Sequence, residues 1–156
     1  MPDAPIDRCL DRWHEFLRSR DAGLLDELLH DDVVFLSPVV FTPQRGKDVT
    51  KLYLTAAGNS LDGQGEQGAE GGSQEARKPT DDGWDGKFRY VRKVRDGHDA
   101  VLEFETTVGG KYVNGVDLIT CDDDGRIVEF KVMIRPLQAV NIVHEQMRAM
   151  LESMSG

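Results

Sequence analysis

One carboxylate stands where a half-buried strand seldom keeps one. In Tyr112-Val113-Asn114-Gly115-Val116-Asp117-Leu118-Ile119, strand alternation sets Val113, Gly115, Asp117 and Ile119 on one face. Asn114, Val116, Leu118 and Thr120 share the other. If the face of Asp117 is the enclosed one, loss of water raises its pKa and keeps the acid neutral. A neutral carboxylic acid in an apolar pocket donates a hydrogen bond to a carbonyl or a developing enolate oxygen, which marks a functional site. The alternatives are a partner on the neighbouring strand, or solvent exposure. On the preceding strand Leu102 and Phe104 alternate with Glu103 and Glu105, and the apolar pair is expected inward with the two acids outward. Phe104 and Val113 are thereby placed with Asp117 around the pocket.

Other residues of chemical interest read as structure. Asp122-Asp123-Asp124-Gly125 has the acid run of a calcium loop, but it falls between two strand patterns and lacks the longer ligand series between helices. A hairpin turn is the expectation. His14, His30, His98 and His144 show no metal-binding spacing, and neither a phosphate-binding glycine loop nor a CxxC pair occurs. No metal and no cofactor are therefore expected. Cys9 and Cys121 stand far apart in sequence and read as two reduced, buried side chains.

The elements that must position Asp117 follow from periodicity. Ile6, Cys9, Leu10, Trp13, Phe16 and Leu17 recur at helical spacing and predict a first amphipathic helix. Asp21 is suited to cap a short second helix over 24–29. Val33-Val34-Phe35-Leu36 reads as a short apolar strand, and a third helix is expected from Gly46 to about Gly58. From Lys87 onward the period is two. Strands are predicted over 88–95, 100–108, 111–121 and 126–135, joined at Asp96-Gly97, Gly109-Gly110 and Asp124-Gly125 as an antiparallel meander. A last helix after Pro136 carries Leu137, Val140, His144, Met147, Leu151 and Met154 as its apolar stripe, with Ile142, Val143 and Met150 off it.

Composition bounds the rest. The 156 residues suit a single domain, and 19 basic against 28 acidic side chains give a net charge of −9. Nucleic acid and anionic membrane surfaces are poor partners for such a chain. No apolar run is long enough to span a bilayer, and the first residues lack the pattern of a secretory leader. A cytoplasmic location is expected. The stretch 62–86 holds seven glycines and seven acids, with Ala69, Ala76 and Trp84 as its only apolar residues, and reads as a mobile acidic insertion. The broad apolar surface of the last helix, with Ile127 and Met133 placed outward on the last strand, points to a homodimer.

The element order, Leu28-Leu29-His30-Asp31-Asp32-Val33-Val34-Phe35 and the stretch from Gly115-Val116-Asp117 to Gly125-Arg126-Ile127 resemble the NTF2-like superfamily. That is the SnoaL-like cone shared by ketosteroid isomerases, polyketide cyclases and non-catalytic binding domains. The resemblance implies an α+β fold, with a curved antiparallel sheet packed on three N-terminal helices and a C-terminal helix. It also implies that Asp117 occupies the place of an oxyanion-hole aspartate. Ser37 falls where ketosteroid isomerases have a general-base aspartate, and Trp13 where they have an oxyanion tyrosine. Serine cannot take a carbon-bound proton near neutral pH without a base behind it. Phe35, Tyr53, Val132 and Ile134 fall where such a pocket is lined. Two classes of function follow: a domain binding a small apolar molecule with Asp117 and Trp13 at its polar end, or an isomerase or cyclase-type enzyme using Asp117 as acid/base.

Overall fold

The structure, a computed structural model, describes residues 4–60 and 84–155. Helix α1 spans Pro5–Ser19, α2 Ala22–Leu28, and strand β1 Leu29–Leu36. A two-residue strand β2, Gln44–Arg45, precedes α3, Lys47–Ser60. Strands β3 (Arg89–Asp96), β4 (Asp99–Val108), β5 (Lys111–Cys121) and β6 (Ile127–Arg135) follow, and α4 covers Leu137–Ser155. The earlier part of the stretch read as a mobile acidic insertion, 62–83, lies outside the described residues.

Pro5 opens α1, where its missing N–H costs no hydrogen bond. The Asp7 carboxylate reaches back to accept from the Ala4 N–H at 3.1 Å. The expected stripe is the buried one: Ile6, Cys9, Leu10, Trp13 and Phe16 all face the core. Asp21 caps α2 by accepting from the Gly23 N–H at 2.8 Å. The two cysteines are free and buried, and fold into contact as neighbours despite their separation in sequence. Burial pushes the Cys9 thiol well above its ordinary pKa.

The sheet runs β2-β1-β6-β5-β4-β3. The four-strand meander is antiparallel as expected, with its turns at the three anticipated dipeptides. Gly97 and Gly125 adopt φ of 63° and 80° there, which a side chain would strain. The sheet as a whole is mixed, because β1 lies parallel to β6. Strand β1 also begins four residues earlier than its apolar core suggested. Leu29 caps α2 in an extended conformation, and a register shift between Leu29 and Val34 carries the polar His30-Asp31-Asp32 along the strand. In the Asp122 turn, the Asp122 carboxylate accepts from the N–H groups of Asp124 and Arg126, both at 2.9 Å. Those acids make a hairpin turn.

Two assignments of facing change. Ile127, expected outward, is fully buried, because a bulge at Thr120/Cys121 shifts the phase and turns both Ile127 and Phe130 inward. On α4 the buried line is Ala139, Val143 and Met147, with Ile142, Met150 and Leu151 packed beside it. Leu137 and His144, placed on the stripe from spacing, face solvent. The helix thus covers the sheet with a line that combines Met147 and Leu151 of the expected stripe with Ile142, Val143 and Met150 from its flank.

Candidate functional site

The sheet curves around α1, α3 and α4 and leaves a cavity open at one end. Its walls are almost wholly apolar. Trp13 and Phe16 enter from α1, Tyr53 from α3, Phe35 from β1, Phe104 from β4 and Ile134 from β6. Phe35 stacks on Tyr53 at 5.1 Å between ring centres, and Trp13 meets Phe130 at 5.0 Å.

Asp117 lines this cavity and is 6% exposed. Its neighbours across the sheet are Leu102 on β4 and Val132 on β6, so neither adjacent strand offers it a cation. One hydroxyl meets it: Tyr90 on β3 donates to Asp117 Oδ2 at 2.7 Å. The Tyr90 oxygen in turn accepts from the indole Nε1–H of Trp13 at 2.9 Å. Burial raises the Asp117 pKa from its ordinary 3.8 to about 7, and the Tyr90 hydrogen bond holds it from rising further. Burial and the facing carboxylate push the Tyr90 hydroxyl well above the ordinary tyrosine value. Because the one proton of Tyr90 points at Oδ2, the proton of the neutral acid belongs on Oδ1. The arrangement is a polarised line of donors ending on a carboxyl poised near neutrality.

Most of the residues singled out from sequence come together. Trp13, Phe35, Ser37, Tyr53, Phe104, Asp117, Val132 and Ile134 all line the cavity. Val113 does not: it is fully buried in a second cluster with Ala56, Val108 and Ala139. The Trp13 N–H, expected to meet a ligand directly, is spent on Tyr90. Ser37 Oγ accepts from the Val39 and Val40 N–H groups at 3.1 and 3.3 Å, shaping the turn at the cavity rim. His14 is outside the lining, its ring edge-on to Tyr90 at 6.0 Å with Nε2 buried and unpartnered. Burial pushes its pKa down.

Tyr90 is the residue that sequence reasoning missed. It sits in a strand otherwise dominated by Arg89, Arg92, Lys93 and Arg95, the pattern of a solvated edge. A signal was present in Phe88 and Tyr90, two aromatics at strand spacing on one face, which meet edge-on at 5.1 Å. Gly115 is a second positioning residue. A Cβ there would lie 2.6 Å from both the Met133 carbonyl and Phe104 Cζ, so the missing side chain is what admits the Phe104 ring.

Comparison with known proteins bears on the fold. No protein family's model matches the chain, and no curated protein is significantly similar to it. Among solved structures, a steroid delta-isomerase from Pseudomonas aeruginosa is 32% identical, with 97% of this chain and 95% of that one covered at a TM-score of 0.78. An uncharacterised bacterial protein with a cystatin-like fold from Silicibacter pomeroyi is 28% identical over 90% of this chain and 83% of its own, with a TM-score of 0.69. An NTF2-like protein of unknown function from Mesorhizobium loti shares the fold at 19% identity, over 87% and 98% of the two chains, with a TM-score of 0.62. The chain belongs to the NTF2-like, ketosteroid isomerase-like superfamily.

Proposed function

We propose that the cavity binds a small, largely apolar molecule and holds one carbonyl or phenolic oxygen of it at Asp117. The observation that carries this reading is a buried acid in an aromatic cavity whose one hydrogen-bond partner among the described residues, Tyr90, leaves Oδ1 to donate. A small set of polar groups at the floor of an apolar cavity is how such sites fix orientation. The test is titration of 2-naphthol and a panel of substituted phenols, read by tryptophan fluorescence. Asp117→Ala should weaken binding by roughly 1–3 kcal/mol, and Asp117→Asn, which still donates, by less. Equal affinity for all three proteins would place the ligand elsewhere.

A second reading is an isomerase or cyclase-type enzyme with Asp117 as its acid/base or oxyanion donor. Two observations favour it: the 32% identity to a protein named a steroid delta-isomerase, and a carboxyl raised to about 7, where proton transfer is efficient. Ser37 supplies no carboxylate at the rim, so Asp117 would have to take and return the proton alone. Turnover of a Δ5-3-ketosteroid to its conjugated isomer, lost in Asp117→Asn, is the expected signature. Turnover retained in that variant assigns Asp117 to oxyanion stabilisation instead.

We read the outer sheet face as a homodimer surface. Met133 and Val94 are exposed there, and Val116 pairs with Met133 beside Val101 and Leu118. Sedimentation at micromolar concentration should give twice the chain mass. The two free cysteines suit a cytoplasmic location. Among the described residues no helix is long and apolar enough to cross a membrane.

A further inference from the structure

Among the described residues, one cation lines the cavity. Arg20 follows α1, is exposed, and stands among the cavity residues, which puts it at the opening while Asp117 lies deep. Its backbone is left-handed, with φ 58° and ψ 28°, and its N–H closes α1 on the Phe16 carbonyl at 2.7 Å. Glycine is the residue that relieves this conformation, and Arg20 is the one non-glycine with positive φ among the described residues. The acids nearest it in sequence on α1 and α2 have partners of their own. Glu15 pairs with Arg18, Asp21 caps α2 and Asp26 pairs with Lys51. Among the described residues no carboxylate pairs with Arg20.

We propose that the natural ligand is amphipathic, with a carboxylate at the end remote from Asp117, and that Arg20 at the mouth holds that carboxylate. This rests on the reading of the cavity as a binding site and specifies its ligand class: a keto acid or phenolic acid built on an apolar ring or chain. The chemistry is complementary at each depth. Aromatic walls take the body, Asp117 takes one neutral oxygen, and the planar guanidinium takes an oxoanion through paired N–H donors.

The experiment compares ω-(4-hydroxyphenyl)alkanoic acids of increasing chain length with their methyl esters, on the full chain at neutral pH. The wild type should bind the best-fitting acid about fivefold more tightly than its ester, as a partly exposed charge pair allows. Added salt should shrink that preference. Arg20→Gln keeps the local backbone and should bind acid and ester alike. Arg20→Gly should do the same while melting higher, because the left-handed strain is relieved. Equal binding of acid and ester by the wild type, or a preference that survives Arg20→Gln, overturns the assignment and leaves the cavity reading intact. Failure of 2-naphthol, acids and esters alike to bind overturns both.

Discussion

Two carboxylates are buried in neighbouring strands of one sheet, on opposite faces, and their surroundings differ completely. Glu105 on β4 is 1% exposed and faces away from the cavity. Arg89 grips its Oε1 through Nε at 2.8 Å and Nη2 at 2.6 Å, and the Tyr112 hydroxyl donates to Oε2 at 2.8 Å. Trp84 covers the pair, stacked under the Arg89 guanidinium at 5.1 Å and edge-on to Tyr112 at 6.0 Å. Glu105 was expected outward; it faces that way, yet the end of the acidic stretch buries it. Asp117 on β5 has aliphatic neighbours on both sides and one hydroxyl. A buried charge held by a cation is an internal tie, whereas a buried acid without one keeps its proton near neutral pH and remains available for chemistry. Burial of an acid alone therefore does not mark a site. Its pairing does.

The largest expected effect tests the unpaired member. The Asp117 pKa of about 7 lies above its ordinary 3.8, so the folded chain holds a proton that the unfolded chain releases. Stability from this group is fully present below pH about 4 and falls as pH rises towards 7, levelling off above. About three units at about 1.4 kcal/mol each give a loss of about 4 kcal/mol. Asp117→Asn cannot titrate. The stability difference between variant and wild type, followed by urea unfolding from pH 4 to 8, should grow by that amount in favour of the variant. A constant difference across the range means that Asp117 is paired as Glu105 is, and the contrast collapses.

The paired member is tested next. Arg89→Met keeps the apolar stem over Trp84 but takes the guanidinium from a buried carboxylate, and should cost about 3 kcal/mol. Adding Glu105→Gln should recover much of that loss. A cost below about 1 kcal/mol would reduce the pair to an ordinary surface bridge. Gly115→Ala acts on the cavity face alone: its Cβ would press on Phe104 and on the Met133 carbonyl, at about 2 kcal/mol. Phenol affinity should fall with it, because Phe104 is a wall of the cavity.

How much of this was legible depended on range. The α1 stripe, the Asp21 cap and the three hairpins are set by residues within a few positions of one another, and all were read correctly. The parallel docking of β1 on β6 joins residues 95 or more positions apart, and no local pattern encodes it. The bulge that turns Ile127 inward arises from pairing geometry, and the α4 stripe is set by what the sheet presents to it. Asp117 stood out because a carboxylate breaks an apolar alternation. Tyr90 did not, because its meaning lies two strands away. It pairs with Phe104 while Asp117 pairs with Leu102, so its hydroxyl reaches the acid diagonally across β4.

That reach yields the smallest but sharpest test. Tyr90→Phe keeps the ring that packs on Phe88 and removes only the oxygen that joins Trp13 to Asp117. The indole N–H and Asp117 Oδ2 each lose a partner in a desolvated place, which should cost about 1 kcal/mol net at low pH, where the acid is neutral. The hydroxyl stabilises the ionised acid, so its loss must also raise the Asp117 pKa above about 7. The variant should therefore fall further behind the wild type as pH rises past 7, while Glu105 and its Arg89 tie are untouched. Carbon-13 titration of the Asp117 carboxyl in wild type and variant reads the shift directly. An unchanged midpoint would mean that Tyr90 does not bear on the acid, and that the line from Trp13 to Asp117 has no electrostatic role.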